Sequence, residues 1–125
     1  MTLPRIELLS DKTVTIDLKG HTVTDTGADA FLVKTGKLIV IDSVGGGKIN
    51  HTGTDDLVWL QNGGTLQLDA GSYSFASKYG ITYGKGNLIV NGGSYEFATE
   101  KADSFKEFVS SGKTVTINGV SFTKE

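Results

Sequence analysis

Cysteine is absent and proline occurs once in these 125 residues. Without thiols there is no disulfide framework, no thiolate nucleophile and no cysteine-ligated metal. Charge of either sign is not in excess: 12 lysines plus arginines face 14 acids, a net charge of −2. That balance removes the electrostatic reason for binding nucleic acid or an anionic membrane. No apolar run reaches membrane-spanning length, so insertion into a bilayer is not expected. The opening "MTLPRIELLSDK" lacks a basic-then-apolar leader pattern. Either the natural start has been replaced or the chain is made in the cytoplasm and used without signal-directed secretion.

Glycine, by contrast, is abundant, with 17 residues. Collagen needs glycine in a strict period with much proline, and disorder usually brings more proline. Many glycines between short β-rich runs imply many tight corners instead. Five such runs end in an acid or amide: Thr13–Asp17, Leu38–Asp42, Thr65–Asp69, Leu88–Asn91 and Thr114–Asn118. Their terminal residues are spaced by 25, 27, 22 and 27 positions. A shared period of this size marks a stacked-repeat architecture.

Each repeat continues through a glycine corner into a second strand, centred on Val23, Ile49, Tyr73 with Phe75, Tyr95 with Phe97, and Phe122. A third apolar run, beginning at Ile6, Phe31, Leu57 and Ile81, precedes the anchor strand. Three short strands and three corners per repeat leave no room for crossover helices. A β-sandwich would not repeat three patterns in one order. The reading is a single all-β domain over residues 1–125: a right-handed parallel β-helix of about five rungs, each pairing with its neighbours. In this rung pattern, over nearly its whole length, the chain resembles the pectate-lyase-like β-helix proteins.

Alternation with period two assigns the lining. Val14, Ile16, Leu38, Val40, Leu66, Leu68, Leu88, Val90, Val115 and Ile117 should point inward. Tyr73, Phe75, Tyr95, Phe97 and Phe122 should stack along a second wall. Burial of each aliphatic side chain contributes roughly 1.5–3 kcal/mol, which makes this column the main stabilising feature. Near the end, "DSFKEFVSSG" sets Phe105, Phe108 and Val109 at helical spacing, with Asp103 or Ser104 as N-cap and Gly112 past the end. A short helix is expected there, lying against the stack. The opposite end has no cap, and unpaired strand edges usually need a cover or a partner.

Candidate chemistry divides into corners and faces. Asp17, Asp42, Asp69, Asn91 and Asn118 should stack at one corner, as turn residues bonding nearby backbone or as carboxylates around calcium. "HTGTDD" places His51, Asp55 and Asp56 on one loop. The family resemblance implies paired acids or a calcium site in its polysaccharide-cleaving members. Here the acids are adjacent, so they point differently, and the single arginine is Arg5. A solvated corner is the simpler reading, as it is for His21. Gly45–Gly47 and Gly84–Gly86 neither open a helix nor carry phosphate-loop spacing, so they read as turns.

On the outside, Thr22, Lys48, Ser72, Ser94 and Ser121 should form a polar ladder. A threonine face of Thr13, Thr15, Thr65, Thr114 and Thr116 is interrupted by Lys37, Ile39, Gln67 and Ile89, which spoils the regular lattice an ice-binding face needs. Leu32 and Trp59 fall between inward neighbours on adjacent rungs and should lie side by side. Leu32, Trp59, Ile39 and Ile89 are therefore the candidate interaction surface; the alternative for Trp59 is core.

No catalytic residue, cofactor or metal is assigned, and the expected class is a non-catalytic structural module. The resemblance implies phage head fibres, capsid decorations or tail spikes. It thus implies a homo-oligomer, with a trimer favoured, carried on a virion or cell surface. The competing reading is a polysaccharide-binding or polysaccharide-cleaving protein, with glycans as partners. Five rungs with short corners offer little material for a substrate cleft.

Overall fold

A computed structural model describes residues 1–3, 5–53, 56–75, 81–97 and 102–125. The chain winds into a β-solenoid of about four turns built on three sheets. Turn one comprises β2 (Ile6–Leu8), β3 (Thr13–Asp17) and β4 (Thr22–Asp25); turn two comprises β5 (Phe31–Val33), β6 (Lys37–Ile41) and β7 (Lys48–His51). Turn three comprises β8 (Val58–Leu60), β9 (Thr65–Leu68) and β10 (Ser72–Phe75), and turn four β11 (Thr82–Gly84), β12 (Asn87–Val90) and β13 (Ser94–Phe97). Each strand pairs in parallel with its equivalent one turn away. A short β1 (Thr2–Leu3) extends the β4 sheet by one strand at the N-terminal end.

Register follows the lining. Val14, Leu38, Leu66 and Leu88 form one inward column, and Ile16, Val40, Leu68 and Val90 the next. From turn two onward these are buried, with Val40, Leu66, Leu68 and Val90 wholly so. Turn one differs, because nothing stacks beneath β3. Val14 is 38 % exposed there and Ile16 is only partly covered, so neither has the full burial that alternation assigns.

The aromatic wall forms as the repeats imply. Tyr73 and Tyr95 stack with centroids 4.9 Å apart and planes 5° from parallel, and Phe75 lies 5.5 Å from Phe97. Each tyrosine hydroxyl donates to a carbonyl three residues back: Tyr73 to Ala70 and Tyr95 to Gly92, both at 2.6 Å. Burial pushes both phenols above their ordinary pKa. Gly93 makes this corner possible. Its φ is +101°, and a Cβ there would meet the Tyr95 oxygen at 3.0 Å and the Gly71 carbonyl at 2.8 Å.

The fifth anchor run does not continue the β12 sheet. Helix α1 (Ala102–Phe105) and a 3₁₀ turn (Lys106–Phe108) lie across the end of the coil instead. Asp103 sits within the first helical turn, not before it. Phe105 is fully buried, 4.6 Å from the Tyr95 ring and 5.1 Å from Phe97. Val109 bridges to Val90 and occupies the place of a fifth strand. The chain then moves one side further, so β14 (Thr114–Ile117) pairs with β13. It turns back at Asn118–Gly119 as β15 (Val120–Thr123), antiparallel to β14. Five apolar-then-amide runs thus yield about four turns plus a closing hairpin, and Phe122 packs beside Val115 as part of that closure.

One inward column carries polar residues. Leu3, Asp25, His51, Phe75 and Phe97 are in register along the β4 sheet. Asp25 has no exposure and His51 has 3 %, so His51 lies inside the coil and not on a solvated corner. Asp25 Oδ1 accepts the Gly27 N–H at 3.0 Å, and His51 Nε2 lies 2.8 Å from the Gly27 carbonyl. Asp25 Oδ2 and His51 Nδ1 have no hydrogen-bond partner among the described residues.

Burial raises the Asp25 pKa; the Gly27 N–H and the charges of His51 and Arg5 oppose this but do not cancel it. With the folded value above the unfolded 3.8, the folded chain binds a proton the unfolded chain releases. Asp25 therefore lowers stability as pH rises through that window, and the penalty is constant above it. Asp25→Asn keeps the Oδ1 acceptor and removes the charge. Thermal melts across pH should show the variant more stable than the parent at pH 7, with the difference closing toward pH 4. A variant less stable at every pH would contradict this.

Candidate functional site

Three outer faces and one open end carry the accessible chemistry. On the β4 sheet, Thr22, Lys48, Ser72, Ser94 and Thr116 align across five strands. Ser121 follows Thr116 through the antiparallel hairpin, so it joins the ladder one strand later than the repeat suggests. The neighbouring column is Thr24, Asn50, Ser74 and Glu96. The part of these columns from Lys48 and Asn50 to Glu96 and Thr116 lines a groove of about 330 Å³. Hydroxyls, one amide, one cation and one carboxylate on rigid strands can hydrogen-bond a polyhydroxylated ligand.

On the β5 sheet, Glu7, Leu32 and Trp59 are in register. The expected adjacency of Leu32 and Trp59 is present. Trp59 is half-buried, whereas Leu32 is buried at 7 % exposure and lies outside the central apolar cluster. Leu32 thus offers little accessible surface, being shielded between neighbours on both sides of its strand. Arg5 closes over Glu7 in an ion pair of 2.6 Å beside them.

The β6 sheet presents Thr15, Ile39, Gln67 and Ile89 in one column, with Ile39 and Ile89 both partly exposed. The four candidate residues therefore fall on two faces and do not form one patch. Gln67 separates the isoleucines and directs its amide to both oxygens of Asp69, at 3.0 and 3.1 Å.

The acidic corner is staggered. Asp17 is in register with Ile41, not with Asp42, because the inward pair Leu38 and Val40 fixes β6 and leaves one more residue before the acid. Asp17 accepts the Lys19 and Ser43 N–H groups at 3.0 Å and the Ser43 hydroxyl at 2.6 Å. These donors hold its carboxyl below the usual range, the Ser43 hydroxyl most of all. Asp42 accepts Gly20 N–H at 2.9 Å and Gly47 N–H at 2.7 Å. Asp69 also accepts the Asn91 amide at 2.9 Å. These acids act as turn ligands to backbone and amide donors. Among the described residues no group of three or more metal-ligating side chains converges. Asp55 lies outside the described residues, and Asp56 is buried at 8 % exposure.

The N-terminal end is open, as the absence of a capping segment there implies. A mouth of about 600 Å³ opens there, floored by Leu3, Ile6, Ile16 and Val23 and rimmed by Asp17 and His21. It is the unstacked lower surface of turn one. The strand beside it, β3, forms the edge of its sheet. Comparison with protein families, with curated proteins and with solved structures finds no match for this chain.

Proposed function

We propose that this chain is a non-catalytic structural module that assembles with copies of itself on a larger particle or surface. The observation that carries the reading is the asymmetry of the two ends. Phe105 and the β14–β15 hairpin close the C-terminal end, while the first turn leaves Val14, Ile16 and an apolar mouth uncovered. Exposed core and unpaired edges of this kind favour association. The rung pattern's resemblance to pectate-lyase-like coils supports a virion setting, as head fibre, capsid decoration or tail spike, with a trimer as the arrangement by analogy. A cytoplasmic origin followed by display on a virion or cell surface fits that setting. Light scattering over a range of concentrations tests it: an oligomer of the 13.2 kDa chain is expected. A monomer at every concentration, with no affinity for particles or surfaces, would overturn it.

A second reading, glycan binding, is favoured by the polar groove around Lys48, Ser72, Ser94 and Glu96. Glycan-array binding that is lost in Lys48→Ala would support it; no binding across the array would remove it.

A further inference from the structure

Strand β3 reads Asp-Lys-Thr-Val-Thr-Ile-Asp-Leu-Lys from Asp11 to Lys19 with its flanks. Its core, Thr13 to Ile16, is β-branched throughout and uncharged. Natural edge strands usually carry a charge, a proline or a bulge that discourages pairing; Thr13 to Ile16 has none of these, and Lys12, Asp17 and Lys19 only flank it. Its free edge is also defined. Lys12 gives its carbonyl to Lys37 N–H, and Leu18 gives its N–H to the Ile41 carbonyl. In a parallel ladder alternate residues bond the same neighbour, so Lys12, Val14, Ile16 and Leu18 face β6. Thr13, Thr15 and Asp17 direct their backbone groups outward from the sheet edge.

We infer that β3 pairs antiparallel with β3 of a second copy about a two-fold axis at Thr15, a surface that rests on the assembly reading above and locates it. The sequence is self-complementary about that point. Thr15 opposes Thr15 of the second copy and Thr13 opposes its Asp17, so the residues with free edge groups meet each other. Val14 opposes Ile16 of the second copy, and both point to the inner side. This covers Val14, the exposed lining residue of turn one, and the half-buried Ile16. Asp11, in the bend before the strand, and Lys19, in the turn after it, bring opposite charges near both ends of the paired segment. Like surfaces meeting across a two-fold close on themselves and do not propagate, so this contact makes a dimer in place of the trimer that the analogy favours. The β6 sheets of the two copies become one continuous sheet. β1 already adds a strand beneath the neighbouring sheet, so the contact centres on β3.

The chain has no cysteine, which makes Thr15→Cys a clean probe. Residues paired in an antiparallel hydrogen-bonded register lie about 5.5 Å apart at Cα, within disulfide reach. Under mild oxidation at micromolar concentration, Thr15→Cys should form a covalent dimer roughly a hundredfold faster than Lys113→Cys at the far end, because held partners react at millimolar effective concentration. Thr15→Lys, an outward substitution, should retain the parent's circular dichroism and halve its mass by light scattering. If the parent is oligomeric but Thr15→Cys crosslinks no faster than Lys113→Cys and Thr15→Lys leaves the mass unchanged, the copies meet elsewhere and the β3 inference fails alone. A monomeric parent would overturn both it and the assembly reading.

Discussion

Leu68→Asp is expected to leave the chain without a cooperative melting transition. Leu68 has no exposure and stands in register between Val40 and Val90, themselves fully buried. A carboxylate there would lie among aliphatic carbons from turns two to four with no donor to receive it. Stranding an unpaired charge in such a setting costs several kcal/mol on top of the lost apolar contact. Domains of this size hold only about 5–15 kcal/mol in total. In a solenoid each turn is stabilised chiefly by its neighbours, so loss at a central turn severs the stack into pieces too short to persist. The effect should depend on side-chain direction and not on position alone. Thr65→Asn, three residues earlier and outward in the column of Lys37 and Asn87, should change stability by no more than about 0.5 kcal/mol. Far-ultraviolet circular dichroism with a thermal ramp checks both. A Leu68→Asp protein that melts like the parent would reverse the assignment of inside and outside.

Phe105→Ala should cost about 3–5 kcal/mol, the range for removing a buried aromatic from a packed core. The ring is wholly buried against Tyr95 and Phe97, and it is the plug of the fourth turn. Its loss would open the aromatic wall from above, much as the β3 wall of the first turn is already open from below. Urea titration should show a markedly lower midpoint. A loss under about 1 kcal/mol would mean that the hairpin alone closes the coil. Phe108→Ala, at a partly exposed position beside the plug, should cost less.

Much of the coil was legible because the apolar lining of β6, β9 and β12 alternates unbroken within each strand. Period and parity together specify three sheets, and the stacked tyrosines and phenylalanines follow from the repeated Ser-Tyr-x-Phe. The errors share one cause: alignment on the polar residue that ends each strand, not on the residues that point inward. That choice paired Asp17 with Asp42, although packing of Val40 over Ile16 sets the register. It also took Thr114–Asn118 as a fifth anchor strand. The run has the right alternation, but the helix and Val109 displace it to the next sheet. Parity could have found the internal polar column. Asp25 and His51 occupy the positions of Phe75 and Phe97 in their strands, and only their polarity argued for the surface. The candidate contact residues illustrate a different limit. Alternation places Leu32 and Trp59 outward correctly, but exposure depends on how neighbouring turns shield them. The open end shows most clearly in three dimensions, since it consists of contacts that the first turn does not make.

Residue-resolved hydrogen exchange as a function of protein concentration tests the account most directly. Amides of β6 and β9 should be slow at every concentration, as the strands flanked on both sides in their sheet. The Thr13, Thr15 and Asp17 amides should pass from fast exchange in dilute solution to slow exchange when concentrated, as β3 gains a partner. Fast exchange at those three positions at all concentrations, in a chain whose interior strands stay protected, would contradict assembly through the open end.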